Sequence, residues 1–521
     1  MFTRIFVVLL SSWFLFVFFR LHFLPIGHGF DDYFLLPGGA ISLAASAHSW
    51  CMFLLPTQLM QVARKIAGPG DDYLVAQFLS FALTTIMAFG SLSLRYRKYS
   101  VLFISLAAPM ILLPTQDTNA YGKLVSISYN CSYNRLMDLV SYYTFLTAVQ
   151  SRSQRWYFFD ALWFAFALGA ATLTKPTYLP ELGLLLLLSQ RQHLSFKFWI
   201  LCLSFFLLFV IPELVLQPGY ANSILAAAKS RHQSLHQAIF ISMQHGAIVI
   251  LLISYLFRRI RLRTPEIDSM LGILIIFALC EPFIVAGNTG DIANLRFVGA
   301  LISLLFLFRI SPWYQKLQQS SFGILTGEPW LYSIVGCTML YPLRFLYYTT
   351  FKILVLIISI NGFSSDPSNF ITFSHLPGFV MAKSLIDKDF LGLENDLQAR
   401  RIFMTKTSGK EEITLNYMMF SDLNTLIDRH PNLLKQPVLV PEFASSILVY
   451  AYPETRPLAM LSSYSSEVPV DMSQSSIQKS LQEVHSILLN LCGPTPILMW
   501  SRDWLRLDQS GCWELLGKHP A

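Results

Sequence analysis

Two adjacent carboxylates, Asp31 and Asp32, stand in the stretch "GHGFDDYF" at residues 27–34, directly after an apolar run that begins almost at Met1. A carboxylate in that place has two readings. It can end a helix in water or cap the next one, as Asp often does. It can also serve as a general base toward a hydroxyl presented at the membrane surface. Lys175, before Pro176 in "TLTKPTYLPEL", raises the same choice. A lysine at a span end usually snorkels to the headgroups, whereas one that meets an anion forms a charge-assisted hydrogen bond with it.

The elements that must position these residues are apolar. The chain has 521 residues, 54% hydrophobic, 14% aromatic and 13% charged. Soluble domains carry about 25% charged residues. The apolar residues come in repeated runs near the ~20 residues that cross a bilayer, so the fold class is an all-α polytopic membrane bundle. The formal charge of +7 does not point to nucleic acid. Its basic residues fall in short clusters between apolar runs: "RYRK" at 95–98, "SRSQR" at 151–155, "RQHLSFK" at 191–197, "RRIRLR" at 258–263, and Arg309 to Lys316. Such clusters mark cytoplasmic loops.

If each cluster is cytoplasmic, the chain crosses twice between successive ones. The first run, "RIFVVLLSSWFLFVFFRLHFLP", lacks a small-residue cleavage site and reads as an uncleaved span leaving the cytoplasm near Leu24. The next clear span, 73–94, returns to "RYRK", which makes 25–72 a first external loop; within it "LPTQLMQVARKIAG" reads as an amphipathic interfacial helix. "VLFISLAAPMILLP", "LMDLVSYYTFLTAV", "FDALWFAFALGAATL" and "TYLPELGLLLLL" come next, then runs at 198–216, 238–257, 269–286, 296–309 and 331–360, giving about 11 transmembrane helices over 1–360. Residues 361–521 have ordinary polarity, with turn signals "SSDPSN" and "RHPN", strand-like "PVLVP" and "SILVYAY", and helix-like "SIQKSLQEVHSILLNL". They read as a small external C-terminal α/β domain of about 160 residues. No internal repeat of the kind that builds many transporters is visible.

Seven cysteines show no metal spacing. Cys202, Cys280 and Cys337 lie in apolar runs and read as packing residues. Cys492 and Cys512 either pair in an oxidising compartment or are two buried thiols.

On this topology one face collects the polar residues. It holds His28, Asp31, Asp32, Asp71 and Asp72, then Asn134, Arg135 and Asp138 in "YNRLMD", then Lys175, Tyr178 and Glu181. Arg231, His232 and His236 follow, and finally Glu281, Asn288, Asp291 and Arg296. An unpaired charge just inside a span end costs a few kcal/mol, so these groups should pair or line a wet cavity. "NCS" at 130–132 fits the N-glycosylation pattern, and His232 with His236 have the i, i+4 spacing of metal ligands without a third ligand in view.

This layout resembles the C superfamily of membrane glycosyltransferases (GT-C), in particular the protein O-mannosyltransferase and aminoarabinose transferase type. Those enzymes have a first span starting inside, a first external loop opening with an acidic pair followed by an aromatic, and a bundle of about a dozen spans. Asp31-Asp32 with Tyr33 and Phe34 takes the place of that pair, with Asp-Asp standing where Asp-Glu is usual. "TLTKPTYLPELGLLLLL" resembles the lysine-proline turn that opens a middle span, and "YNRLMDLVSYYTFL" resembles uncharacterised bacterial relatives. The likeness covers about 1–310 as architecture and leaves the tail unmatched.

The resemblance implies transfer of a sugar from a polyprenyl-phosphate donor to an acceptor hydroxyl of a glycan, lipid or protein, on the outer face of a bacterial inner membrane. The N-terminus would be cytoplasmic and the C-terminal domain periplasmic. One carboxylate, Asp31 or Asp32, would take the acceptor's proton as it attacks C1, and a single displacement inverts the anomeric centre. Cations hold the departing phosphate: Lys175 and Arg296 first, with Arg135 and Arg231. A divalent cation such as Mg or Mn is another means to the same end. Asp291 and Glu281 would orient the acceptor. The competing readings are an envelope polysaccharide polymerase or ligase built on Arg231 and Arg296, a lipid or solute transporter, and an inactive scaffold with a binding tail.

Overall fold

A computed structural model describes residues 54–68, 72–112, 115–118, 124–128, 132–149, 157–189, 195–216 and 265–286. It also describes short pieces within 368–386 and 417–428, strands at 505–507 and 513–515, and single helical positions such as Tyr220 and Ser303. The described part is almost entirely helical. Its helices are α1 (Leu54–Ala67), α2 (Asp72–Tyr96), α3 (Ser100–Leu112), α4 (Ser132–Val149), α5 (Tyr157–Thr174), α6 (Leu179–Ser189), α7 (Phe196–Leu216) and α8 (Pro265–Ala286). Three stretches are long and apolar enough to span a membrane: Val75–Tyr96, Tyr157–Thr174 and Phe196–Leu216. The expected runs at 73–94, 198–216 and 269–286 coincide with α2, α7 and α8. The expected runs at 101–114, 136–149, 159–173 and 177–188 fall on α3, α4, α5 and α6. The first span, the runs at 238–257, 296–309 and 331–360, and the boundary at 360 lie almost wholly outside the described residues.

α7 shows what faces lipid. Phe196, Ile200, Leu203, Leu207, Ile211 and Val215 are exposed and recur every three or four residues, which places them on one stripe. The opposite side of α7 packs along α5. α3 and α6 are only 13 and 11 residues long, or about 20 and 17 Å of helix. Each is shorter than the ~30 Å hydrocarbon core.

α4 is the opposite case. Every residue from Tyr133 to Val149 is buried, so this helix is enclosed by protein on all sides. That explains its composition, since a helix that never meets lipid can carry Asn134, Arg135, Asp138, Ser141, Thr144 and Thr147 in its interior. Helical arithmetic sorts its surface into three faces. Asn134, Asp138, Ser141 and Phe145 share one, which meets α6 and α8; the Phe145 and Phe277 rings lie 5.0 Å apart. Tyr143 and Thr147 lie on the opposite face, toward α2 and α5. There the Tyr143 hydroxyl is 3.0 Å from Thr85 Oγ1, and its ring is 6.0 Å from the Trp163 ring. Tyr142 turns toward α3 and hydrogen-bonds Ser303 at 2.7 Å.

Two turns fix the outline. Gly68, at φ +77°, donates its N–H to Arg64 O at 2.9 Å and ends α1 in the left-handed conformation that glycine adopts without strain. Arg97 lies at φ +42° between α2 and α3, where the chain passes through a single turn of 3-10 helix, and Ser100 Oγ donates to its carbonyl at 2.7 Å. The amphipathic helix expected within 55–68 is present as α1 and packs on α2.

Between α3 and α4 the chain forms an antiparallel hairpin, β1 (Thr115–Thr118) with β2 (Leu124–Ser128), pairing Asp117 with Ser126. In the tail, β3 (Phe370–Thr372) pairs with β4 (Val380–Ala382), and β5 (Leu505–Leu507) with β6 (Trp513–Leu515). Phe373 stacks edge-on against Phe420 at 5.6 Å. The "PVLVP", "SILVYAY" and "SIQKSLQEVHSILLNL" segments lie outside the described residues.

Candidate functional site

α2 and α5 run antiparallel, and α4 runs alongside α2 in the reverse sense of the intervening α3, so the bundle has two ends. One gathers the C-termini of α2 and α4 with the N-terminus of α5. The other gathers the N-terminus of α4, the C-terminus of α5 and the start of α6. Each end holds a buried polar cluster.

The first is built on Arg95. Its Nη1 and Nη2 donate to Asp160 Oδ1 and Oδ2 at 2.6 and 2.7 Å, a bidentate fork. Nε donates to the Thr147 carbonyl at 3.1 Å, and Nη1 also meets Ser91 Oγ at 2.8 Å. Ser91 itself donates to Asp160, and the Tyr96 hydroxyl donates to Leu146 O at 2.5 Å. Two carbonyls in the last turn of α4 are thus satisfied by α2 side chains. Arg95 was expected in a solvated basic loop. It belongs instead to the last turn of α2 and is buried, because Asp160 one turn into α5 lies within reach of its fork.

The second cluster centres on the turn between α5 and α6. The Lys175 N–H closes α5 on Ala171 O at 2.8 Å, the residue then becomes extended, and Pro176 opens a turn of 3-10 helix that leads into α6. Proline suits that first position because the missing N–H would have no helical partner. The turn points the lysine inward: Lys175 is 5% exposed, donates to Asn134 Oδ1, and sits 5.2 Å from the Tyr133 ring centroid. The snorkelling alternative is therefore overturned.

Two further rungs follow. Tyr178 Oη donates to Asp138 Oδ1 at 2.9 Å, and Ser141 Oγ donates to Glu181. Residues 134, 138 and 141 on α4 meet 175, 178 and 181 on the turn and α6, so the helical spacings i, i+4, i+7 and i, i+3, i+6 match rung for rung. All six side chains are buried. Arg135, also buried, lies beside this face on α4, toward the side that carries Tyr142. Two cations and two carboxylates are thereby enclosed at one end of an apolar bundle, where charges persist only with partners or water.

Of the sequence-derived site residues, the structure brings Lys175 and Arg135 to this end. Glu281 lies on α8, directly before Pro282. Asp31, Asp32, Arg231, Arg296 and Asp291 lie outside the described residues. Asn134, Asp138, Tyr178 and Glu181 had been noted as polar but given no role; the matched spacing of the two segments was the signal that joins them. Asp72 is buried and lies 3.8 Å from Arg64, which ties the end of α1 to the start of α2. Among the described residues no group of three or more His, Cys, Asp or Glu side chains is gathered as a metal site. Cys202 and Cys280 are buried free thiols, as expected of packing residues. No protein-family model, curated protein or solved structure matches the chain.

Proposed function

We propose that this protein is an integral-membrane glycosyltransferase of GT-C type, which moves a sugar from a polyprenyl-phosphate donor to an acceptor hydroxyl. The observation that carries the reading is the inward Lys175, seated beside Arg135 and Asn134 at one end of a lipid-embedded bundle. A phosphate on a lipid donor reaches such a site from the bilayer, and two cations lower the cost of its charge as C1–O breaks. The end that holds Lys175 is then the outer face of a bacterial inner membrane, the face that also receives Asp31 and Asp32 on the sequence-derived topology. One of these aspartates takes the acceptor proton while the hydroxyl oxygen attacks C1. The phosphate leaves with the bonding electrons, and the anomeric centre inverts. A divalent cation such as Mg or Mn would supply the same screening, and the described residues offer no carboxylate set to hold it. The acceptor is a glycan, lipid or protein hydroxyl, and 361–521 is an external domain.

The second reading is transport. The Ser141–Glu181 rung favours it, because Ser141 lies midway along α4 and puts a carboxylate deep in the bundle.

One experiment separates the two. Purified protein is given radiolabelled polyprenyl-phosphate sugars and a membrane extract, beside Asp31→Asn, Asp32→Asn and Lys175→Ala. Transfer by wild type, abolished in one aspartate variant and lowered about 100- to 1000-fold in Lys175→Ala, supports the transferase. Failure of wild type to bind any lipid-linked sugar, or normal transfer by both aspartate variants, overturns it.

A further inference from the structure

The seam between α2, α4 and α5 holds polar atoms that no described residue pairs. Gln77 Oε1, Thr84 Oγ1, Trp163 Nε1 and Thr174 Oγ1 are buried and have no hydrogen-bond partner among the described residues. None of these residues is more than 2% exposed. Leaving such a group dry costs about 1–3 kcal/mol, and natural interiors hold few of them.

Their placement is not scattered. Ser91 on α2 is bonded to Asp160 on α5, which sets the two antiparallel helices in register. Gln77 lies fourteen residues up α2 from that bond and Thr174 fourteen residues up α5. At 1.5 Å per residue both stand about 21 Å above it, at the height of Lys175. Thr84 lies halfway between Ser91 and Gln77 on the same face of α2, seven residues from each. Tyr143 joins this level to Trp163, with its hydroxyl on Thr85 and its ring against the indole. Trp163 lies only three residues, about 4.5 Å, up α5 from the Ser91–Asp160 bond, so these four residues run from the lysine end to within a turn of the arginine end.

We propose that this seam binds a file of internal water molecules, which runs past Thr84 Oγ1 to Trp163 Nε1. The hydrogen-bond types select the ligand. An indole N–H only donates and an amide oxygen only accepts, so the occupant must both accept and donate. A lipid chain does neither. A metal or halide ion would meet no charged side chain among these four residues. Water does both, and about three polar partners is the ordinary coordination of a buried water. The seam thus hydrates the Lys175 cluster from inside the bundle, independently of whether the protein transfers sugars.

The test is millisecond X-ray radiolysis of the full chain in lipid nanodiscs, read by mass spectrometry. Radiolysis activates bound water, which oxidises the side chain it touches. Trp163 is fully buried, yet its oxidation, corrected for intrinsic reactivity, should approach that of exposed Tyr157. Its equally buried neighbour Phe164 should stay unmodified. Thr84→Val should lower Trp163 oxidation several-fold, and Thr84→Ser should restore it; if the valine variant does not fold, Thr84→Ala reads the same change. Trp163 modified no faster than Phe164 in the wild type would overturn the hydrated seam. Labelling unchanged in a folded Thr84→Val or Thr84→Ala protein would overturn the water site at Thr84.

Discussion

The two ends of the bundle handle buried charge in different ways. At the arginine end, Arg95 and Asp160 meet face to face in a two-bond fork, and the remaining guanidinium and phenol donors close carbonyls in the last turn of α4. At the lysine end, charges of both signs are spread over three rungs and interleaved with an amide, a phenol and a hydroxyl. A fork saturated with hydrogen bonds locks three helices at a single point. A ladder with a neutral group on each rung distributes its charge along about 10 Å of helix, where one partner can be exchanged without stranding its neighbours. The first arrangement is what a joint requires, and the second is what a binding site requires.

The largest expected effect tests the joint. Asp160→Ala strands the Arg95 guanidinium inside the bundle, and breaking a buried pair from one side costs about 3–5 kcal/mol. Thermal unfolding in detergent micelles should show the largest loss of any variant named here. Replacing both partners by apolar residues, Arg95→Met with Asp160→Leu, should recover most of it, because no buried charge is then left alone. A double variant no more stable than Asp160→Ala would mean that the bonds to the α4 carbonyls, and not the ion pair, make the joint.

Tyr178→Phe is the matching change at the ladder. It removes one phenol donor from a buried carboxylate, a loss of about 1.5–3 kcal/mol. The same unfolding measurement should place it below Asp160→Ala. A loss equal to or greater than that of Asp160→Ala would erase the distinction between the two ends.

Much of this was legible in the residues, and the rest was hidden for physical reasons. Lipid-facing helices announce themselves, because hydrocarbon on one side demands an apolar stripe, and α2 and α7 lie where their runs predict. Lys175 stood out because a charge inside apolar sequence has to be accounted for. The direction of its side chain was not readable, since snorkelling and inward burial use the same residue in the same place. It is decided by the extended conformation of Lys175 and by Asn134, forty-one residues away. Arg95 was misplaced for a related reason. A cation beside "YRK" has the composition of a loop, and only the arrival of Asp160 from α5 makes it part of the interior. In the hairpin only Gln116 and Asp117 of β1 are poor strand signals; β2 carries Val125 and Ile127, but the run is only five residues long and, paired with so short a partner, does not stand out. Asp31 and Asp32, the most suggestive residues chemically, lie outside the described residues and rest on the sequence and on the transfer experiment.

The smallest effect compares how closely α5 approaches its neighbours near each end. Gly90 on α2 sits against Phe159 near the arginine end, where an added Cβ would come within 2.8 Å of the ring's Cγ. Gly169 on α5 has room: the same atom would meet Phe209 and Val210 at 3.5 Å, an ordinary contact. Alanine in place of a helical glycine gains roughly 0.5–1 kcal/mol when nothing obstructs it. Gly169→Ala should therefore raise the unfolding midpoint slightly. Gly90→Ala should lower it, because overpacking costs about 1–3 kcal/mol and exceeds that gain. The Phe159 side chain is 36% exposed, so it has somewhere to go, and the loss should fall at the low end of that range. Adding Phe159→Leu to Gly90→Ala should then return the protein to near wild-type stability. If it does not, the close approach is made by the α2 and α5 backbones themselves, and the joint at Arg95 is held by helix contact as well as by the fork.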